Sequence, residues 1–160
     1  IDPFYLTWKA REYNYHTRLI ELAGEIHNSM PDFVVERAMK ILNEDGKALK
    51  GARVLVVGLA YKKDIDDIRE SPILKVIEIM TKLGADWKVT DPYVPTFRFN
   101  GEVIETVALT EAEIKEADLV LIGTNHSNVD YDMIQNNAKA ILDTRNVYRG
   151  KENNNHIYKL

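Results

Sequence analysis

Gly58-Leu59-Ala60-Tyr61-Lys62-Lys63-Asp64-Ile65-Asp66-Asp67-Ile68-Arg69-Glu70-Ser71-Pro72 follows the apolar run Val54-Leu55-Val56-Val57. After it, Ser71-Pro72 opens a helical pattern with Ile73, Leu74, Ile77 and Met80 on one side. The apolar run lacks polar alternation, as a strand buried on both faces does. Strand, polar loop and helix in that order put the loop at the carboxyl end of a parallel strand, where open α/β sheets hold ligands. Two lysines and an arginine in the loop suit phosphate or another anion. The opposing reading is that Lys62, Lys63 and Arg69 pair with Asp64, Asp66, Asp67 and Glu70 of their own loop.

Downstream, helical stretches alternate with short apolar runs. The crossover helix runs from Pro72 to Leu83 and is closed by Gly84, and a second strand from Asp86 stops at Asp91-Pro92. Residues 93–104 read as irregular, with a short strand at Val107-Ala108-Leu109. Thr110 and Glu113 form a capping box for a short helix through Ala117. Asp118 to Gly123 is the next buried strand, and the polar loop Thr124-Asn125-His126-Ser127-Asn128 follows it. A short helix at 131–136, a strand at 140–143 and a polar tail with an edge strand at Ile157-Tyr158 complete the pattern. The expected fold is α/β, a Rossmann-like, doubly wound and mostly parallel sheet.

Upstream the pattern is helical. Asp2-Pro3 reads as a helix entry, and an aromatic-rich segment follows it. Tyr15, Leu19, Leu22 and Ile26 then recur at four, three and four residues, one stripe of an amphipathic helix. Ala23 and Gly24 beside the stripe leave room for another helix to approach. Val34, Val35, Ala38, Ile41 and Leu42 resume the stripe after Pro31, which either kinks one long helix or starts a second capped by Ser29. Gly46 ends the helical region. The division expected is a helical dimerisation region at 1–46 and a ligand-binding α/β domain at 47–160. The arm has little of its own to pack on, so it reads as a docking surface for another copy or another domain. Alternatively it folds back onto the α/β domain.

Composition narrows the classes. The chain is 160 residues with 45% hydrophobic content, enough for one core plus an appendage. A net charge of −4 gives no general basic field for nucleic acid. The absence of cysteine excludes a disulfide framework, a thiol nucleophile and a thiolate metal site within this chain. His16, His27, His126 and His156 lack metal-ligand spacing. No apolar run reaches the roughly 18 residues of a membrane span and no signal peptide is visible, so the expectation is a cytoplasmic protein. Ile1 in place of Met suggests a chain cut from a longer one.

A dinucleotide is the first ligand to weigh at the strand edge. Its fingerprint needs G-x-G-x-x-G at the turn, whereas Gly58 stands alone there and Ala60 follows. Asp91 ends the second strand as a ribose-binding acid would, but about thirty residues past Gly58 rather than about twenty. A nucleotide held by side chains fits better. Candidates are Tyr61 and Lys62 after the first strand, Thr124, Asn125 and His126 after a middle one, and Arg145 in Asp143-Thr144-Arg145-Asn146 after the last. His126 reads more readily as a hydrogen-bonded loop residue than as a base.

Gly58 to Asp64 with Arg69-Glu70-Ser71-Pro72 resembles the signature of the UDP-glucose/GDP-mannose dehydrogenase family. Asp91-Pro92-Tyr93 and Asp143-Thr144-Arg145-Asn146 match further family segments in the expected order. Ile1-Asp2-Pro3-Phe4-Tyr5-Leu6 resembles the residues just after the family's catalytic cysteine motif. The run through Thr7-Trp8 resembles the branch acting on UDP-N-acetylhexosamines. The resemblance implies two NAD-dependent oxidations of a nucleotide sugar's C6 hydroxyl to a carboxylate, in the synthesis of surface polysaccharide precursors. It implies that this chain is the central dimer-forming helical region plus the C-terminal nucleotide-sugar domain, with NAD bound mainly by a preceding domain. By motif, Asp2 matches the aspartate assisting the water and proton steps, Tyr61 and Lys62 match groups contacting the nucleotide sugar, and Arg145 matches the arginine on its phosphate side. Arg69 matches an arginine that reaches NAD.

Without the thiolate that covalent catalysis needs, the chain alone is expected not to turn over. Two other readings stay open: a non-catalytic nucleotide-binding or regulatory module with a helical dimerisation arm, and a self-contained NAD domain of another dehydrogenase. The single glycine at the turn weighs against the latter.

Overall fold

A computed structural model describes residues 2–150 and 156–160, the side chain of Asp2 excepted. Two helices, α1 (Asp2–Arg11) and α2 (Arg18–Glu44), precede an α/β unit. Its elements are β1 (Arg53–Val57), α3 (Pro72–Lys82), β2 (Asp86–Thr90), β3 (Thr96–Phe99), β4 (Glu102–Glu105), α4 (Glu111–Glu116), β5 (Leu119–Ile122), α5 (Tyr131–Asn137), β6 (Ile141–Asp143) and β7 (Ile157–Lys159).

The main sheet has the order β2-β1-β5-β6-β7, and every pairing in it is parallel. The chain leaves β1 for β2 on one side, then returns past β1 to reach β5. The direction of winding therefore switches between β1 and β5, and the loops after those two strands face each other across the switch point. Strand faces sort by parity. Val54 and Val56 of β1 pack with Leu119 and Leu121 under α3, whereas Leu55 and Val57 pack with Val120 and Ile122 under α4 and α5. Both faces are covered, which explains the unbroken apolar run.

The arm divides at its middle. Val34, Val35, Ala38, Ile41 and Leu42 of α2 lie in the same core as α3. The earlier stripe does not: Leu19, Leu22 and Ile26 are 82%, 51% and 55% exposed. The second half of α2 thus folds back onto the α/β unit, while the apolar stripe of the first half is exposed. Pro31 sits inside a single helix rather than starting a second one, because burial of the following turns holds the helix past the missing N–H. Ser29 donates to the Ile26 carbonyl instead of capping. The helix that approaches at Gly24 is α1. The Phe4 ring covers that position so closely that a Cβ there would lie 2.5 Å from its Cζ. Thr17 Oγ1 to Thr7 Oγ1 (2.8 Å) and Arg11 to Glu21 (3.2 Å) fasten the rest of α1 to α2.

Residues 93–104, expected to be irregular, contain the antiparallel β3–β4 hairpin, and 107–109 form no strand. The overlooked signal is Asn100-Gly101, whose φ values of 50° and 86° make the two-residue turn such a hairpin needs. Val107 instead donates one bond to Val89. The capping box is half formed: Thr110 accepts the Glu113 N–H, but the Glu113 carboxylate pairs with Lys88. Gly46 ends α2 region in the left-handed conformation and Gly84 closes α3 likewise.

Candidate functional site

The switch point is closed by backbone. Gly123 N–H donates to Val57 and Gly58 N–H to Thr90, each at 2.8 Å. Gly58 has a φ of 86°, and a Cβ on it would collide with the backbone of Thr124. This glycine therefore serves the contact between two strand-end loops rather than the approach of a pyrophosphate.

Asp91 governs the turn. Its Oδ2 accepts the N–H groups of Leu59 (2.7 Å) and Ala60 (3.1 Å) and faces Nε2 of His126 at 3.0 Å. Its Oδ1 accepts the N–H groups of Tyr93 (2.9 Å) and Val94 (3.2 Å). The carboxylate is wholly buried and its oxygens are occupied, so it is not placed as an acid reaching for ribose. The N–H groups that would meet a pyrophosphate at this turn are spent on Asp91. The Gly58–Ala60 turn therefore lacks the free backbone donors that an NAD pyrophosphate bound there would need.

Two further bonds fix the same loop. Thr124 Oγ1 donates to Ala60 (2.5 Å) and Ser71 Oγ to Leu59 (2.7 Å). Asp64, at a φ of 60°, accepts from Ser127 through both its N–H (2.7 Å) and its hydroxyl (2.8 Å). Those Ser127 bonds hold the Asp64 carboxyl below the ordinary carboxylate range. Tyr93, tilted against His126 at 5.0 Å, is raised by burial and by Asp64.

The sequence candidates then take their places. Tyr61 and Lys62 are exposed on the loop after β1, with the Lys62 ammonium 5.6 Å from the Tyr61 ring centroid. No carboxylate among the described residues lies within ion-pair distance of Lys62 or Lys63. The self-pairing alternative holds for Arg69 alone: Asp67 takes its Nε at 2.9 Å and a terminal nitrogen at 2.8 Å. Arg69 brings the Asp67 carboxyl down to about 2. Arg145 is exposed after β6, and its Nε donates to the Gly123 carbonyl at 2.6 Å. Asp143, buried beneath, accepts the N–H groups of Arg145 and Tyr148 at 3.0 Å each. Thr144 Oγ1 donates to Ile122 at 2.6 Å. Thr124 and His126 are buried and bonded within the protein, whereas Asn125 is half-buried.

Lys62 and Arg145 thus stand over one sheet edge, joined by a short relay: Ala60 to Thr124 to Gly123 to Arg145. Two cations with free hydrogen-bonding capacity over a switch point suit a phosphorylated ligand. Asp2 begins α1, but its side chain lies outside the described residues. What the sequence did not reveal is the Asp91–His126–Asp64 network, because its members are 35 and 62 residues apart. A groove between α1 and α2, lined by Phe4, Trp8, Arg11 and Glu21, is separate from this edge.

Residues 55–150 match the UDP-glucose/GDP-mannose dehydrogenase family, UDP binding domain. A UDP-N-acetyl-D-mannosamine dehydrogenase of Methanocaldococcus jannaschii is 35% identical over 156 residues, which are 92% of this chain and 33% of that protein. The solved UDP-D-ManNAc dehydrogenase of Pyrococcus horikoshii superposes with a TM-score of 0.76 at 27% identity, over 94% of this chain and 35% of that one. The UDP-N-acetyl-mannosamine dehydrogenase Cap5O of Staphylococcus aureus gives 0.69 at 32% identity, over 91% of this chain and 34% of its own. The chain spans about a third of the length of these relatives.

Proposed function

Because this chain belongs to the UDP-glucose/GDP-mannose dehydrogenase family, we propose that it is the nucleotide-sugar-binding and dimer-forming part of a UDP-N-acetylhexosamine 6-dehydrogenase. Such an enzyme oxidises the C6 alcohol of the sugar to a carboxylate, with NAD as hydride acceptor, in the cytoplasm. The observation that carries the reading is the pair Lys62 and Arg145 over the switch point, beside a turn whose backbone donors are already taken by Asp91. A diphosphate is then met by side chains, and the exposed Tyr61 ring is available to the base or sugar.

The remaining assignments follow from that reading. Residues 47–160 are the binding domain and 1–46 the dimerisation region, whose exposed Leu19, Leu22 and Ile26 stripe would be covered by a second copy. NAD, which supplies the oxidising power, would be held by the rest of the enzyme, with Arg69 reaching it once released from Asp67. Asp2 would act on water or a proton near the reacting carbon. With no cysteine, this chain supplies no thiolate.

Calorimetric titration of the chain with UDP, UDP-N-acetylglucosamine, UDP-N-acetylmannosamine and NAD tests this. Binding of the UDP ligands but not NAD, weakened by Lys62→Ala and by Arg145→Ala, is the expected result. Tight NAD binding without UDP binding would replace the reading with that of a self-contained NAD domain. Oxidation of a UDP-sugar by this chain and NAD would show that the chemistry needs no thiolate from elsewhere.

A further inference from the structure

His126 is wholly buried, yet neither of its ring nitrogens is idle. Nδ1 accepts the Asp64 N–H at 3.0 Å, so the proton resides on Nε2, which donates to Asp91 Oδ2 at 3.0 Å. The same Asp91 oxygen accepts from Leu59 and Ala60. The ring therefore ties the residue before Tyr61 to the residue after Lys63: Ala60 by way of Asp91, and Asp64 directly. Tyr61, Lys62 and Lys63 form an arc between those two fixed points, with Lys62 at its centre. Ser127, one residue on from His126, holds the Asp64 carboxylate as well. Asp64 has a left-handed backbone, a conformation that aspartate enters more readily than most non-glycine residues.

A histidine that only filled space would need neither nitrogen aimed at this loop. We propose that His126 is a positioning residue of the anion site, its ring setting where the Lys62 ammonium stands relative to a bound diphosphate. The proposal rests on the nucleotide-sugar reading and extends it to a residue that does not itself reach the ligand.

Three substitutions separate the two nitrogens. His126→Asn offers an oxygen near the Nδ1 position and so keeps an acceptor for Asp64. His126→Gln offers an amide near the Nε2 position and so keeps a donor for Asp91. His126→Phe fills the volume with neither. Each is titrated with UDP and with pyrophosphate, alone and combined with Lys62→Ala, and amide exchange at Asp64 is followed in the unliganded chain. His126→Phe is expected to weaken UDP about tenfold, to speed Asp64 exchange, and to cost nothing further once Lys62 is alanine. His126→Asn is expected to bind UDP more tightly than His126→Gln. A purely structural role would lower the melting temperature without coupling to Lys62.

The proposal is overturned by UDP affinity in His126→Phe equal to the parent's, or by the same proportional loss with and without Lys62. Should His126→Phe not fold, equal or reversed affinities of the Asn and Gln variants overturn it. If Lys62→Ala weakens UDP but no His126 variant does, this inference fails and the reading of the site stands. A parent chain that binds neither UDP nor pyrophosphate defeats both.

Discussion

Arg145 Nε donates to the carbonyl oxygen of Gly123 at 2.6 Å, so a guanidinium that follows β6 is held at the end of β5. The rest of its fork has no other side-chain partner among the described residues. Arg145→Lys keeps the charge but loses both the anchor and the planar fork. UDP is expected to bind roughly ten- to a hundredfold more weakly, the loss of one or two charge-assisted hydrogen bonds. Calorimetry reads this directly, and unchanged affinity would remove Arg145 from the site.

Asp91→Asn tests whether that carboxylate is structural. Four backbone N–H groups and the His126 ring converge on its two oxygens. An amide would turn its own N–H groups toward some of those donors and leave them buried without an acceptor. The expected cost is about 3 kcal/mol, seen as a melting temperature lower by roughly 6–12 °C. A variant as stable as the parent would contradict the network as described.

Acid sensitivity should show at Asp118, whose side chain is buried, more than at Asp67, whose equally lowered carboxyl is screened by solvent. Burial pushes its carboxyl up, but bonds from Lys47 and the Arg53 N–H, together with Lys139, outweigh that and hold it at about 2, below the ordinary 3.8. The folded value lies below the unfolded one, so this stabilisation is complete above the ordinary value and is lost as pH falls from about 4 toward 2. Lys47→Met is expected to raise the midpoint of acid unfolding. Circular dichroism across that range, on parent and variant, is the check, and coincident curves would refute it.

The exposed half of α2 should associate. Leu22→Glu combined with Ile26→Glu puts charge into the middle of the open stripe, where nothing in the chain covers it among the described residues. Sedimentation is expected to show a concentration-dependent dimer for the parent and a monomer for the variant. The melting temperature of the dilute chain should be nearly the same for both. A parent that stays monomeric at high concentration would end the dimer assignment.

The inner strands β1, β5 and β6 were legible because each is a short apolar run next to a glycine or aspartate, and because both their faces are buried the run needs no alternation to be recognised. Gly46, Gly84 and the Asp91-Pro92 stop were readable for the same local reason. The hairpin was passed over because Pro92 and Pro95 just before it suggest irregular chain, although Phe97 and Phe99 alternate beside the Asn100-Gly101 turn. The two halves of α2 carry equally regular stripes, and sequence period alone cannot tell a stripe covered by its own chain from one left open. At the site, the cations were visible as residue types at strand ends. Spacing sets Asp91 aside as a ribose ligand, but its clamping of the turn shows only in the direction of the Leu59 and Ala60 N–H groups.

α2 runs unbroken from Arg18 to Glu44 through Pro31, with its second half rooted in the core beneath β1. At 27 residues, it is about 40 Å long. Whatever grips Leu19 to Ile26 therefore grips a lever rather than a leash. No break separates the two halves, and Pro31, which removes one helical N–H, marks where the lever would bend first. Two copies clasped by their arms would hold their Lys62 and Arg145 edges at a set separation and heading, and a ligand-driven tilt of one sheet would be felt at the clasp.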